Sequence, residues 1–195
     1  MERTASISRK TKETEIALKL SLDGCGSAQI HTGIGFFDHM LEGFARHGFF
    51  DLSVSVKGDL FVDGHHTVED TGIVLGQAIA QAAGEKQGIR RYGYFLLPMD
   101  EALVACAVDL CGRPYLNFSH AFLTPMIGTL DTQLIREFFY AVSYSAGMNL
   151  HFKVLDGSNS HHIAEAMFKS FAKALDMAVG MDSRVDGVLS TKGTL

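Results

Sequence analysis

The chain has 195 residues, of which 47% are hydrophobic and 20% are charged, and its formal net charge is −5 at pH 7. This composition is typical of a globular protein with one domain or two small ones, long enough to bury a core. It excludes a membrane-spanning chain, because no segment approaches about 20 consecutive apolar residues. The net negative charge argues against a general nucleic-acid binder.

The start of the chain and its cysteines indicate a cytoplasmic protein. Residues 1–12 are polar and charged, without the apolar segment of a secretory signal. The three cysteines are odd in number and lack CxxC spacing, so we expect reduced thiols and neither a disulfide framework nor a zinc site.

The pattern of the first half predicts strands and helices in alternation. Strands alternate polar and apolar residues, whereas helices repeat apolar residues every three or four positions. The predicted strands are 4–9, 14–22 and 51–60, and the predicted helices are 36–47 and 65–83. Residues 23–26 and 63–64 predict turns, and Gly84 predicts the end of the second helix.

The second half has a similar pattern. Its predicted strands are 94–98, 102–110, 114–122 and 150–155, and its predicted helices are 130–146 and 163–179. Residues 157–160 predict a turn that caps the last helix. The tail from 181 to 195 is rich in Gly and Ser and predicts irregular structure, and no flexible linker separates the halves.

A repeated HHxxE motif organises the chain. Each half ends in a helix that opens with this motif, and the two copies lie 96 residues apart. A pair of phenylalanines precedes each copy on the helix before it. Self-similarity of this kind decides the fold. We therefore expect an α+β protein of two pseudo-twofold-related repeats, residues 1–92 and 93–195. Each is a small β-sheet packed against two helices, and the two form one catalytic unit.

The two motifs predict two metal ions. Glu69 shares a helix face with His65 at i+4 and nearly so with His66 at i+3. Adjacent histidines point about 100° apart, so each binds a different ion. Two copies supply four imidazoles and two carboxylates, a set that suits Mn²⁺, Fe²⁺ or Zn²⁺. Either His65 pairs with His162 and His66 with His161, or the ligands come from different subunits.

Further residues extend the candidate site. His39 lies on the earlier helix of the first half, Glu137 has the matching position in the second half, and both can bind a metal. His47 and His151 have no such partner, so we expect a substrate or structural role for them.

Several cations lie in turns rich in Gly and Ser, where fixed charges and backbone N–H groups converge on phosphate. They are Arg90, Arg91, Arg113 and Lys192.

These residues alone predict a dinuclear metal enzyme for an anionic substrate. One alternative is a metal-storage protein, which has no use for cations near the ions. Another is a dinuclear metallohydrolase, whose usual Asp-rich ligand set is missing. The chain has no GxGxxG motif, P-loop or GxSxG nucleophile motif, so nucleophilic catalysis is disfavoured.

Together the motifs resemble the imidazoleglycerol-phosphate dehydratase family of histidine biosynthesis. The resemblance runs from Thr11 to Gly193. It rests on residues 33–41, 63–70, 98–103, 112–114, 159–166 and 190–193. It implies a ribosomal protein S5 domain 2-like fold. It also implies a carbon-oxygen hydro-lyase that converts D-erythro-imidazole glycerol phosphate to imidazole acetol phosphate, through an imidazolate/diazafulvene-type intermediate.

The resemblance also implies a set of site residues and two Mn²⁺ per active site, with Fe or Zn as possible replacements. The implied metal ligands are His39, His65, His66, Glu69, Glu137, His161, His162 and Glu165, where Glu137 stands in place of the commoner His. The implied catalytic residues are Glu13, Glu69 and Glu165, with Glu13 as the acid/base candidate. The implied substrate contacts are Glu13, His39, His47, His65, Arg91, Arg113, Lys169, Ser190, Thr191 and Lys192. The partners implied are a small phosphate substrate and further copies of the chain, in a 24-mer built from trimers with active sites between subunits.

Overall fold

Two four-stranded sheets and four long helices form the fold, and the computed structural model describes residues 3–195. The first half contains β1 (Thr4–Lys10), β2 (Thr14–Ser21), β3 (Ala28–His31), α1 (Gly35–Gly48), β4 (Asp51–Gly58) and α2 (His65–Ala83). Its sheet has the order β1-β2-β4-β3, in which β1, β2 and β4 are antiparallel and β3 runs parallel to β4.

The second half repeats this arrangement. It contains β5 (Tyr92–Met99), β6 (Ala102–Asp109), β7 (Tyr115–Phe118), β8 (Met126–Ile127), β9 (Leu130–Asp131), α3 (Gln133–Ala146), β10 (Asn149–Asp156) and α4 (Ser160–Val179). Its sheet has the order β5-β6-β10-β7, with β7 parallel to β10, and β8 and β9 form a small separate hairpin. The predicted α+β fold of two related repeats is therefore confirmed.

Three predicted boundaries are wrong. The strand predicted over 114–122 is only β7, because its pairing with β10 ends at Phe118. The helix predicted from residue 130 begins at Gln133, because 130–131 form β9 and the carboxylate of Asp131 accepts the N–H of Gln133 at 2.9 Å. The last helix begins at Ser160, three residues before the predicted start, and β3 was not predicted from its four residues.

One core joins the two halves, because each helix of the first half packs on a helix of the second. Helix α1 lies against α4, and α2 lies against α3. The two phenylalanine pairs contribute to this core, with the rings of Phe37 and Phe138 5.2 Å apart. The rings of Phe44 and Phe171 stack at 5.4 Å across the α1–α4 contact. None of the helices in the described part of the chain combines the length and apolarity that a bilayer span needs.

The contact between α2 and α3 depends on two glycines of α2. A Cβ atom at Gly72 would lie 2.7 Å from the backbone oxygen of Phe138, and one at Gly76 would lie 2.6 Å from that of Val142. Backbone atoms of α3 cannot swing aside as a flexible side chain can. These glycines therefore set how closely the start of α2 approaches Glu137 on α3.

We expect Gly76→Ala to destabilise the protein by about 1–3 kcal/mol, because the added methyl group forces the helices apart. Gly43 is the matched control, since it lies inside α1 with no atom within 4 Å of an added Cβ. Gly43→Ala should stabilise the protein by about 0.5–1 kcal/mol through the better helix propensity of Ala. Urea unfolding of the two variants measures both effects, and equal stability of the two would contradict this role of Gly76.

Candidate metal centre

The first candidate centre joins α1 to the start of α4. His39 on α1, and His161 and Glu165 on α4, place one ligand atom each within 4.8 Å of one another. His161 Nε2 lies 3.1 Å from Glu165 Oε2, and His39 Nε2 lies 3.8 Å from the same oxygen. Two imidazoles and one carboxylate are a donor set that suits Mn²⁺, Fe²⁺ or Zn²⁺. The residues therefore fit a divalent transition-metal ion.

Local interactions fix the two helix starts that carry this centre. Asn159 caps α4, where its side-chain oxygen accepts the N–H of His161 at 2.9 Å and that of His162 at 3.4 Å. Near the start of α1, Asp38 accepts the N–H of Thr32 at 2.9 Å and its hydroxyl at 2.5 Å. The cap and the Asp38 contacts hold the ligands on rigid elements.

Glu165 stays ionised in spite of its burial. Its side chain is only 9% exposed, and Lys169 Nζ lies 2.6 Å from its Oε1. Burial by itself raises the pKa of Glu165, but the hydrogen bond and charge of Lys169 more than offset it, and the net pKa is below its ordinary value. The carboxylate is therefore available as an anionic ligand near neutral pH.

The second candidate centre lies between α2 and α3. His65 Nε2 is 3.6 Å from Glu69 Oε2, one helical turn later on α2. Glu137 on α3 lines the same cavity of about 580 Å³ as His65, with its carboxylate 3.0 Å from Arg136. His65, Glu69 and Glu137 thus match His161, Glu165 and His39 through the repeat.

The second histidine of each motif turns away from these groups. His66 Nδ1 lies 3.0 Å from Asp59, and His162 Nδ1 lies 2.7 Å from Glu101. Among residues 3–195, the cluster of three candidate ligands contains His161, His39 and Glu165. His66, one of the partners considered above for His161, is not in this cluster. The divergence of adjacent histidines expected from helix geometry is present at both motifs.

Sequence reasoning missed the roles of Asp59 and Glu101. Glu101 lies in the segment 98–103 that carried the resemblance, but nothing in the sequence linked it to a histidine 61 positions away. Asp59 precedes His66 by seven residues but lies in the turn between β4 and α2, where helical spacing does not apply, so only the fold shows the contact.

Five of the residues expected to bind phosphate come together in a second region, whereas Arg90 does not line it. Arg91, Arg113, Ser190, Thr191 and Lys192 all line one cavity of about 770 Å³. Arg184 and Tyr92 also line it, and no pattern in the sequence indicated either residue.

Arg91 already has partners in this cavity. Its guanidinium donates to both oxygens of Asp109, at 2.7 and 3.2 Å, and to the backbone oxygen of Leu189 at 2.8 Å. Arg91 therefore fixes the start of the loop that carries Ser190 and Lys192.

The length of α4 separates the metal ligands from the phosphate cavity. His161 lies in its first turn, whereas the N–H of Arg91 donates to the oxygen of Ala178 in its last turn, at 2.9 Å. Seventeen residues of α-helix span about 25 Å. The candidate metal ligands and this cavity therefore lie at opposite ends of α4 within one chain.

Of the remaining expected residues, Glu13 and His47 lie on the side of the candidate metal ligands, whereas His151 does not. Glu13 Oε1 is 3.8 Å from His66 Nε2, and its side chain is about half exposed. Burial lowers the pKa of His47, and the charge of nearby Lys169 lowers it further. His151 lies apart on the second sheet, with its ring 5.6 Å from that of Tyr115.

The fold and these contacts define an α+β protein of two repeats, each with His and Glu side chains close together at the start of its last helix. The family model described as Imidazoleglycerol-phosphate dehydratase matches residues 32–175. The chain is 70% identical to the enzyme of that name from Lachnoclostridium phytofermentans and 59% identical to that from Acetivibrio thermocellus, with 100% of each chain covered. It superposes on the crystal structure of that enzyme from Staphylococcus aureus with a TM-score of 0.84 and 37% identity, covering 92% of this chain and 99% of the other.

The chain therefore belongs to the imidazoleglycerol-phosphate dehydratase family. It is an enzyme of the carbon–oxygen hydro-lyase class, and the predicted family is confirmed over the whole chain.

We expect the histidines of the metal-free protein to titrate in two groups. Hydrogen bonds to Asp59 and Glu101 raise the pKa of His66 and His162, whereas burial lowers that of His47. Unfolded histidine titrates near about pH 6.5. The raised pair therefore stabilises the fold below that pH and loses this contribution as the pH rises through the folded pKa values. The lowered pKa of His47 has the opposite effect on stability. Its contribution is present at higher pH and is lost as the pH falls below about 6.5, where the unfolded histidine becomes protonated.

NMR titration of the imidazole resonances measures these pKa values directly. If His47 were protonated at a higher pH than His66 and His162, the contacts described above would not exist in solution.

Proposed function

We propose that this protein dehydrates D-erythro-imidazole glycerol phosphate to imidazole acetol phosphate in L-histidine biosynthesis. The reaction removes a hydroxyl from the carbon attached to the imidazole ring and a proton from the next carbon, and the resulting enol becomes the ketone. The observation that carries the proposal is the His39–His161–Glu165 group at the start of α4, in a chain of the dehydratase family.

The proposed metal is Mn²⁺, two ions per active site. His39, His161 and Glu165 would hold one ion, and His65, Glu69 and Glu137 the other. The neutral imidazoles and anionic carboxylates of both groups suit this metal, and Fe or Zn could replace it. His66 and His162 would complete the ligand sets. When bound, Mn²⁺ supplies Lewis acidity that stabilises negative charge on the substrate's ring and oxygens.

The chain's own groups would handle the proton and the departing hydroxyl. Glu13 is half exposed beside His66, so its carboxyl group can give a proton to the substrate and take one back. Electron release from the imidazolate ring would expel the hydroxyl, which leaves as water with a proton from Glu13, and would give a diazafulvene-type intermediate of the substrate. The Glu13 carboxylate would then take the proton from the next carbon to give the enol. Glu69 and Glu165 would contribute to catalysis as metal ligands, by holding the ions and the histidines of their groups in place.

The phosphate cavity would anchor the other end of the substrate. Ser190, Thr191 and Lys192 lie on one loop, with Arg113 across the cavity from a second turn. Arg91 shapes that loop through Leu189 and keeps part of its guanidinium for the phosphate. Binding the phosphate away from the reacting bond sets the orientation of the diol. His47 and Lys169 would contact the substrate beside the first metal group.

The separation of these two regions supports assembly of the active site from more than one copy. Helix α4 places the metal ligands and the phosphate cavity about 25 Å apart within one chain. A neighbouring copy that offers its cavity to the metal groups of the first would remove this gap. The form of the assembly that we propose, a 24-mer built from trimers, comes from the family resemblance, with repeats 1–92 and 93–195 of each chain acting as one unit.

We place the reaction in the cytoplasm. Cys25, Cys106 and Cys111 are all free thiols, which supports a reducing compartment.

Turnover of imidazole glycerol phosphate by chelator-treated protein, with and without added Mn²⁺, tests the function. We expect activity only with the metal, because in this proposal the bound metal stabilises the negative charge on the substrate's imidazole ring. Glu165→Gln should abolish turnover, whereas Glu85→Gln, a change of an exposed residue beyond α2, should leave it unchanged. Lack of turnover with two ions bound per chain would contradict the proposed reaction.

A further inference from the structure

Each histidine that turns away from a ligand group is held by a carboxylate at Nδ1. Asp59 contacts His66 with both oxygens, at 3.1 and 3.0 Å. Glu101 Oε2 lies 2.7 Å from Nδ1 of His162. An ionised carboxylate can only accept hydrogen bonds, so the ring nitrogen carries the proton in both pairs.

This arrangement decides which nitrogen can bind a metal. A neutral imidazole with its proton on Nδ1 has its lone pair on Nε2. The nearest carboxylate oxygens to Nε2 are those of Glu13, at 3.8 Å from His66, and of Asp100, at 3.5 Å from His162. Neither distance makes a good hydrogen bond. Nε2 of each ring is therefore left available.

We propose that Asp59 is a positioning residue, which holds the ring of His66 so that Nε2 faces a metal ion. Glu101 has the same role for His162. A carboxylate behind a metal-binding histidine fixes both the tautomer and the orientation of the ring, and strengthens it as a ligand. The proposal rests on the metal ligation assigned to His66 and His162 under the proposed function.

Backbone hydrogen bonds fix the carboxylate of Glu101 and the main chain of Asp59. Glu101 Oε1 accepts the N–H of Ser158 at 3.2 Å and that of Asn159 at 2.7 Å, just before α4 begins. The N–H of Asp59 donates to the oxygen of Glu13 at 3.1 Å, and its side chain is only 16% exposed. The rings are thus oriented before a metal arrives, which is what a precise site needs.

The two repeats reach this result with different residues. Asp59 directly follows β4, and the matching position after β10 is Gly157, which has no side chain to offer. Glu101 directly precedes β6, and its match before β2 is Glu13. In the second repeat the hairpin carboxylate supports the histidine. In the first, Asp59 does so and leaves Glu13 beside Nε2 of His66, free for the proton transfer proposed above.

Calorimetric titration of metal-free Asp59→Asn and Glu101→Gln with Mn²⁺ tests the proposal. An amide keeps the shape of the carboxylate but can donate to Nδ1, which favours the wrong tautomer. We expect each variant to bind Mn²⁺ about 10- to 100-fold more weakly at one of the two sites per chain, with the other site unchanged. Asp51→Asn is the matched control, because Asp51 accepts the backbone N–H groups of Cys25 and Ser27 and contacts no histidine.

Three results would overturn the proposal: unchanged affinity in both variants, an equal loss in Asp51→Asn, or the wrong tautomer in the unaltered protein. The tautomer is read from the imidazole ¹⁵N spectrum of the metal-free protein above the pKa of both rings, where we expect the proton on Nδ1. This measurement does not depend on whether a variant folds.

The histidine variants separate this proposal from the proposed function. If His66→Ala and His162→Ala keep both ions, the ligand assignment itself fails. If each loses one ion while Asp59→Asn and Glu101→Gln keep full affinity, only the positioning role fails.

Discussion

Neighbouring side chains at the start of an α-helix diverge by about 100°, and the candidate site depends on that divergence. At the start of α4, His161 turns towards α1 and meets His39 and Glu165, whereas His162 turns towards the β5–β6 hairpin and meets Glu101. The same division occurs at the start of α2. A single dipeptide therefore contributes to two separate environments. The first environment brings three candidate ligands together within the chain. The second holds one imidazole in a fixed orientation against a carboxylate.

The packing between the two halves turns this local geometry into a site. Because α1 packs on α4, the His39–His161–Glu165 cluster contains residues from both repeats, and the packing of α2 on α3 places His65 and Glu137 around one cavity. The close approach at Gly72 and Gly76 and the stacked phenylalanine rings hold these helix pairs together. Duplication of one α+β unit thus places similar His and Glu side chains at the start of two helices, while the loops between elements make their surroundings different. Asp59 has no counterpart in the second repeat, where Gly157 has its position; Glu101 contacts His162 there, while Glu13 of the first repeat stays half exposed beside His66.

Much of the fold was predictable because periodicity and turn chemistry agree along the chain. The helix over 65–83 has the predicted bounds, since its apolar stripe is continuous and Gly84 ends it. The repeat itself was visible as two identical motifs. What escaped prediction was short or non-local. The four residues of β3 carry too little pattern, and 130–131 look helical until their pairing with β8 is seen. Asp59 and Glu101 act through contacts that only the folded chain creates, and no spacing rule finds them.

Anomalous diffraction at the manganese edge from crystals grown with Mn²⁺ tests most directly whether the two helix starts form two metal centres. The account predicts two peaks per chain. One lies within bonding distance of His39, His161 and Glu165, the other within bonding distance of His65, Glu69 and Glu137, and Nε2 of a His66 or His162 ring contacts each. A single peak per chain, or peaks bound by other residues, would contradict it.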